Sequence, residues 1–138
     1  MQKQLYSTAD LPPSRLIGRW GQEAGFGQAC RAARALGVEF TVQNNAVQVA
    51  YHLCINGRLQ QGQGPLVGQQ GRYQLPQLAM PIWVLWIDAD NRSMAIGTPD
   101  GRLGMILSKD AIPTDRLQAA RDILAWNGYD LAKMVKRP

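Results

Sequence analysis

Apolar and polar residues alternate along much of the chain, with the two-residue period of β-strands. Residues 38–42 and 47–55 carry Val, Phe, Tyr, Leu or Ile at every second position, as expected of strands with one buried face. Asn44–Asn45 and Asn56–Gly57 follow these two segments. Both dipeptides favour tight hairpin turns, so the chain is predicted to reverse direction at each.

Shorter apolar runs separated by polar turns fill the rest of the chain. Residues 82–87 are apolar throughout, which is typical of a strand buried on both faces. Residues 93–97 and 102–108 predict two more strands. A stretch rich in Gln and Gly predicts two weaker ones, at 60–63 and 72–75. The chain has no regular alternation of strand and helix, so the sheet is expected to be antiparallel.

One amphipathic helix is predicted after the last strand. Thr114 is the expected N-cap, and Asn127–Gly128 is the expected C-terminal end. The predicted architecture is all-β: an eight-stranded antiparallel up-and-down barrel with this C-terminal α-helix packed on its wall. As a single domain over residues 1–138, it divides into an irregular segment 1–17, a barrel 18–109, a helix 114–127 and a tail 128–138.

Composition narrows the possible functions. The 138 residues are 46% apolar and carry a net charge of +5, which permits contact with an anionic membrane surface. The cations are dispersed and not interleaved with aromatic residues, which argues against nucleic acid as a partner. One histidine and two cysteines offer no recognisable metal site or cofactor site. Glu23, Asp88 and Asp90 lack a partnered histidine or nucleophile in the sequence, so the protein is not expected to be an enzyme.

Three short motifs follow one another along the chain. Gly18–Arg19–Trp20 is the first and Asp88–Ala89–Asp90–Asn91–Arg92 the second, and they resemble the Gly-x-Trp motif and the second motif of the lipocalin family. Lys109 follows the last predicted strand, where the bacterial, outer-membrane-associated branch places a cation. The resemblance implies structural roles for Gly18, Trp20, Arg92 and Lys109, with Trp20 and Lys109 stacked at the closed end of the barrel.

The same resemblance implies that a barrel cavity binds, stores or transports a small hydrophobic or amphipathic ligand, such as a fatty acid or a lysophospholipid. No cofactor is implied. The predicted pocket residues are Phe40, Tyr51, Ile82, Val84, Trp86, Leu103, Met105 and Leu107. The alternative is a barrel filled by its own side chains, serving as a non-catalytic interaction or structural protein and possibly forming a homodimer.

The register of the strand over residues 47–55 stays open. Apolar alternation points Val47, Val49 and Tyr51 inward, and we favour this register. Alignment with lipocalins through Cys54 instead points Gln48, Ala50 and His52 inward. A shift of one residue exchanges the two faces of a strand.

Cys30 and Cys54 are the two cysteines of the chain. An even count in a small β-rich domain suits one disulfide, and two free thiols are the alternative. The resemblance favours the disulfide, because similar proteins often carry two cysteines at these positions. It also implies a periplasmic or outer-membrane-associated location. No signal peptide is visible in the chain, and a cytoplasmic location stays open.

Overall fold

The computed structural model describes residues 12–26, 36–55, 58–69, 71–78 and 80–136. The described chain folds into ten strands, one α-helix (α1) and two short 3₁₀ turns. The strands are β1 (Gly18–Phe26), β2 (Gly37–Gln43), β3 (Ala46–Ile55), β4 (Arg58–Pro65), β5 (Val67–Gln69), β6 (Arg72–Gln74), β7 (Pro81–Ile87), β8 (Ser93–Gly97), β9 (Gly104–Ser108) and β10 (Val135–Lys136). The helix α1 spans Thr114–Trp126, and the 3₁₀ turns span Pro13–Leu16 and Leu131–Lys133.

Nine strands form one antiparallel path in the order β4–β3–β2–β1–β9–β8–β7–β6–β5, and β10 adds to β1. The two ends of the path, β4 and β5, are consecutive in the chain and separated only by Leu66. The Leu66 N–H still donates to the Val47 carbonyl oxygen at 3.0 Å, after which the chain pairs with β6. The path therefore returns to its starting point as a nearly closed barrel. Eight strands are predicted for the barrel, and the path through the described residues has nine, because the segment 58–69 changes partner at Leu66 and so forms two strands, β4 and β5.

Both predicted hairpins are present in the ladder. Asn44 and Asn45 have φ values of 52° and 63°, the left-handed pair that a two-residue hairpin turn requires. Asn56 and Gly57 lie outside the described residues. The pairing of Ile55 with Arg58 flanks them and makes β3 and β4 antiparallel.

The core has two layers that share the sheet as their common wall. One cluster fills the barrel, and the other lies between the outer wall and α1. Ala120 and Leu124 of α1 are fully buried against Ala95 and Ile106 of the wall. The helix thus covers an apolar stretch of the sheet that would otherwise face water.

The two ends of α1 agree only partly with the sequence prediction. Pro113, not Thr114, occupies the N-cap position, and it makes no side-chain capping hydrogen bond. The predicted N-cap was wrong, because the helix begins one residue earlier than expected, at Thr114 itself. Asn127 is the C-cap, and Gly128 follows with a φ of 96°, as expected of a glycine that ends a helix.

Gly37 provides a sensitive test of how tightly β1 and β2 approach each other. A Cβ atom at Gly37 would lie 2.0 Å from the Trp20 carbonyl oxygen, whereas one at the opposite residue, Gly21, would meet its nearest atom at 3.7 Å. We expect Gly37→Ala to lower the free energy of unfolding by about 2–3 kcal/mol, because backbone must shift to admit the methyl group. Urea unfolding should show a much smaller loss for the control Gly21→Ala. Equal losses would contradict the packing described here.

Candidate functional site

The inner face of the barrel is largely apolar, with a continuous cluster of aliphatic, aromatic and methionine side chains. Gln22, which pairs with Leu107 of this cluster, is a buried polar residue on the same face. The predicted pocket residues that belong to this cluster are Phe40, Tyr51, Ile82, Val84, Leu103, Met105 and Leu107. The fold therefore brings all but one of the predicted set to the same enclosed volume.

Trp86 is the exception. It is predicted to line the pocket, and this prediction is wrong, because Trp86 lies on the outer side of the barrel wall. The β7–β8 ladder is irregular between Val84 and Trp86, so Leu85 is an extra residue in β7. Such a bulge shifts the alternation by one position. Val84 and Ile87 consequently face the barrel interior, while Leu85 and Trp86 pack in the cluster beneath the helix.

The register of β3 follows the apolar alternation. Val49, Tyr51, Leu53 and Ile55 are buried in the barrel cluster. His52 is half-buried and lines a hollow on the outer wall. The register implied by alignment through Cys54 is therefore wrong, since it would turn His52 into the interior.

One end of the barrel, called here the closed end, is sealed by Trp20 and Lys109. Trp20 is 1% exposed, and its Nε1 donates to the Leu16 carbonyl oxygen at 2.7 Å. The Lys109 Nζ lies 4.8 Å from the centroid of the Trp20 ring and donates to the Ile17 carbonyl oxygen at 2.8 Å. A cation over an aromatic face in a partly desolvated place is attractive.

Two further features belong to this contact. Gly18 has a φ of 134°, and a Cβ atom there would lie 2.8 Å from Lys109 Cε. Desolvation lowers the pKa of Lys109, and the nearby charge of Arg92 lowers it further. The structure therefore brings Gly18, Trp20 and Lys109, three residues with predicted structural roles, into one contact at the closed end.

Arg92 contributes to the closed end mainly through its backbone. Its N–H donates to Asp88 Oδ1 at 2.8 Å, and its carbonyl oxygen accepts from the Lys109 N–H at 2.9 Å. Its side chain forms an exposed ion pair with Asp110. Exposed pairs of this kind contribute little to stability. Any structural role of Arg92 therefore rests on its backbone, which links Asp88 of the turn after β7 to Lys109.

Asp88 joins three parts of the chain at the closed end. It is 5% exposed, accepts from Ser93 Oγ at 2.6 Å and pairs with the Arg116 guanidinium of α1. Its carbonyl oxygen accepts from Arg15 at 2.9 Å, and the same arginine donates to Asn91 Oδ1 at 2.7 Å. The sequence motif included Asp88, but nothing in the sequence identified Arg15 and Arg116 as its partners, since both are distant in the chain.

The turn over residues 75–78, which we call the mouth turn, lies at the opposite end of the barrel, the mouth. It precedes β7, whereas the Asp88 turn follows β7, so the two turns lie at opposite ends of the barrel. Leu75 and Leu78 belong to the buried cluster of the barrel. The Leu78 N–H donates to the Leu75 carbonyl oxygen at 3.3 Å. The mouth turn thus folds inward and adds two leucines to the interior.

Among the described residues, two side chains fasten the mouth turn. The Tyr51 hydroxyl donates to the Pro76 carbonyl oxygen at 2.6 Å, across 25 residues of sequence. The Gln74 amide donates to the carbonyl oxygens of Leu78 and Met80, the second at 3.4 Å. Sequence reasoning missed these contacts, because a carbonyl group on a turn leaves no mark in the pattern of apolar residues.

Two glycines of β4 make room for the mouth turn. A Cβ atom at Gly62 would lie 2.7 Å from the Tyr51 hydroxyl oxygen and 2.5 Å from Gln77 Oε1. A Cβ atom at Gly64 would lie 3.1 Å from Pro76 Cβ. The bare backbone of β4 is therefore the surface on which the mouth turn rests.

The enclosed cavity that the described residues line within the barrel leaves little free space. The enclosed cavity measures about 20 Å³, enough for about one water molecule. It is lined by Leu16, Val38, Phe40, Leu66, Tyr73, Leu75, Ile82, Val84, Met94, Ile96 and Leu107. A larger, open hollow of about 460 Å³ lies outside the mouth turn, against Pro65 and Val67. Leu75 lines both spaces and separates them.

A hollow on the outer wall differs in chemistry from the barrel interior. It measures about 590 Å³ and is lined by Glu23, His52 and Lys109 among other residues. No group of three or more His, Cys, Asp or Glu side chains that could hold a metal ion occurs among the described residues. Within that part of the chain, no helix is long and apolar enough to cross a membrane.

Comparisons with known proteins place the fold. No family model and no curated protein matches the sequence. Among solved structures, insecticyanin from the tobacco hornworm Manduca sexta matches with a TM-score of 0.71 and 16% identity, over 100% of this chain and 86% of that one. The cockroach allergen Per a 4 matches at 0.72 and 14% identity, over 98% of this chain and 93% of that one.

An odorant-binding protein and the siderocalin Ex-FABP are also similar, each with a TM-score of 0.61. They share 11% and 14% identity with this chain and cover 92% and 90% of it; the matches take in 93% and 90% of those chains. These neighbours are lipocalins. The chain therefore has the lipocalin fold, a barrel with a C-terminal helix.

The carboxylate of Asp88 predicts how stability depends on pH. Burial alone would raise the pKa of Asp88, but hydrogen bonds from Ser93, Arg92 and Arg116 outweigh it and hold this pKa below its ordinary value of 3.8. A carboxyl group with a lowered folded-state pKa stabilises the fold above its unfolded pKa, and this stabilisation is lost as pH falls through the folded pKa.

We expect Asp88→Asn to reduce the free energy of unfolding at pH 7 by about 1–3 kcal/mol, and to flatten the loss of stability between pH 5 and pH 2. Urea unfolding at a series of pH values measures both effects. Asp90→Asn is the control, since Asp90 also pairs with Arg116 but is 60% exposed. A parallel pH profile for wild type and Asp88→Asn would contradict the assignment.

Proposed function

We propose that the protein binds a small apolar or amphipathic molecule inside the barrel, and that it stores or carries this molecule without transforming it. A fatty acid or a lysophospholipid-like molecule is the proposed class. The observation that carries the proposal is the uncharged, largely apolar interior, whose hydrophobic cluster runs from Trp20 at the closed end to Leu78 at the mouth. Removal of apolar surface from water, at roughly 25 cal/mol per Å², supplies the affinity of such a site.

The structural neighbours support a binding function. The name of one neighbour describes an odorant-binding protein, and the siderocalin Ex-FABP is described as functioning through dual ligand specificities. For this chain, binding without catalysis fits the separation between the interior and the ionisable groups. Glu23 and His52 line the outer hollow, so a molecule inside the barrel would not meet them.

A second candidate function rests on the small size of the enclosed cavity. With about 20 Å³ free, the barrel has the packing of a filled core. The protein would then be a non-catalytic interaction or structural module, with a homodimer among its possible assemblies. Ligand binding distinguishes the two candidates directly.

The cellular context is part of the same proposal. We propose that the protein is a member of the bacterial, outer-membrane-associated branch of lipocalins, and that it is located in the periplasm or at the outer membrane. The supporting observations are the motif containing Gly18 and Trp20, the cation Lys109 stacked on that tryptophan, and the net charge of +5. A basic surface is attracted to anionic lipid. Flotation with vesicles of phosphatidylglycerol, with phosphatidylcholine vesicles as the control, tests the membrane contact.

The disulfide between Cys30 and Cys54 stays a prediction. Cys54 is fully buried in β3, and Cys30 lies outside the described residues. We expect no alkylated cysteine when the denatured, unreduced protein is treated with iodoacetamide and weighed by mass spectrometry. Reduction should lower stability by about 3 kcal/mol, the value expected for a loop of this length. Two alkylated cysteines before reduction would show free thiols instead.

Ligand binding is tested with the fluorescent probe N-phenyl-1-naphthylamine. We expect saturable binding of one probe per chain, and displacement of the probe by dodecanoate, because both compete for the same apolar interior. Native mass spectrometry of freshly purified protein, followed by lipid extraction, checks for a molecule that copurifies. His52→Ala should leave the dissociation constant unchanged within about twofold, since His52 faces the outer wall. Absence of saturable binding would favour the filled barrel.

A further inference from the structure

The mouth turn occupies the volume that a ligand of the barrel would need. Leu75 and Leu78 reach into the interior cluster, and the enclosed cavity that Leu75 lines measures about 20 Å³. A protein interior packed this closely does not admit another molecule by small adjustments alone. Some part of the interior must leave before a ligand enters.

The contacts of the mouth turn make it the part that can leave. Its fastenings are neutral hydrogen bonds, from Tyr51 to the Pro76 carbonyl oxygen and from Gln74 to the carbonyl oxygens of Leu78 and Met80. Beside it lies the open hollow of about 460 Å³ against Pro65 and Val67. The turn can therefore move outward without breaking the pairing of any strand.

Building on the proposed binding function, we propose that the mouth turn is a built-in competitor of the ligand, and that Tyr51 exchanges the Pro76 carbonyl oxygen for an acceptor group on the ligand. The ligand then has an apolar body that replaces Leu75 and Leu78, and one hydrogen-bond acceptor, such as a carboxylate or a carbonyl oxygen. The turn and the ligand exclude each other.

The environment of Tyr51 suits this exchange. Its ring is 5% exposed, and Gly62 leaves its hydroxyl group uncrowded by a Cβ atom. A tyrosine hydroxyl is a protonated donor at neutral pH, and desolvation raises the pKa of Tyr51 further. If the turn left without a replacement acceptor, a buried donor would be unsatisfied, which is costly. An amphipathic ligand satisfies that donor, whereas a purely apolar ligand does not.

The first test weakens the turn by removing its two leucine side chains. We expect Leu75→Ala/Leu78→Ala to bind N-phenyl-1-naphthylamine about 10- to 100-fold more tightly than wild type, because the variant no longer has to expel both leucines. The matched control is Leu85→Ala/Leu124→Ala, which removes the same atoms from the cluster beneath the helix. An equal affinity in the two double variants would overturn the proposal.

A second test separates the two roles of Tyr51. Tyr51→Phe frees the turn and also removes the donor that the ligand would use. We expect the affinity for N-phenyl-1-naphthylamine to rise about three- to tenfold and the affinity for dodecanoate to stay equal or fall, since one good hydrogen bond corresponds to about this factor. A rise of the same size for both ligands would contradict the exchange of acceptors.

A third measurement uses the unmodified protein and does not depend on any variant folding. Hydrogen–deuterium exchange should become faster in the peptide that contains residues 75–78 when dodecanoate is added, while exchange in β2 and β3 becomes slower. Slower exchange in the mouth turn would mean that the ligand sits beside it, which overturns the proposal. If N-phenyl-1-naphthylamine binds neither wild type nor the variants, the binding function itself fails, and the two failures are thereby distinguished.

Discussion

The volume enclosed by a small closed barrel is the constraint on which the rest of this structure depends. A barrel of about eight strands has room for its own side chains or for one small ligand. In this chain the side chains come from the wall and also from both ends: Leu16 enters from the closed end, and Leu75 and Leu78 enter from the mouth. What this barrel can bind thus depends on which side chains or ligand fill its fixed interior volume, since the strands of the wall are the same in either case.

The closed end and the mouth turn are held by interactions of different strength. At the closed end, Lys109 and the Arg15–Asp88–Arg116 group supply charged hydrogen bonds across distant parts of the chain. In the mouth turn, Tyr51 and Gln74 supply neutral ones, whereas the β8–β9 turn at the same end is held by the Asp100 carboxylate, which accepts from Thr98 Oγ1 at 2.6 Å. Hydrogen bonds to charged groups contribute roughly twice as much as neutral ones. The mouth turn is therefore the part of the barrel ends that opens at the lower cost.

Sequence alone predicted those strands whose two faces meet different surroundings along their whole length. The barrel architecture, the C-terminal helix and the hairpin at Asn44–Asn45 were predictable, because alternation and turn residues are local properties. Trp86 was not, because one extra residue in β7 turned it to the helix side, and a bulge leaves no mark in a strand that is apolar on both faces. The ion pairs of Asp88 were not predictable either, since they depend on how distant turns are brought together.

The apolar alternation is weakest along β4, and β4 is also the strand on which the mouth turn rests. One cause explains both facts. Along β4 the residues that rest against the mouth turn are Gly62 and Gly64. They carry no side chain, so β4 shows no apolar alternation although its inner surface is covered. The apolar groups that fill this region belong instead to Leu75 and Leu78, on a different segment. A strand whose inner side chains have been replaced by a movable turn offers a removable lining. That arrangement gives a filled barrel the means to accept a ligand without rebuilding its wall.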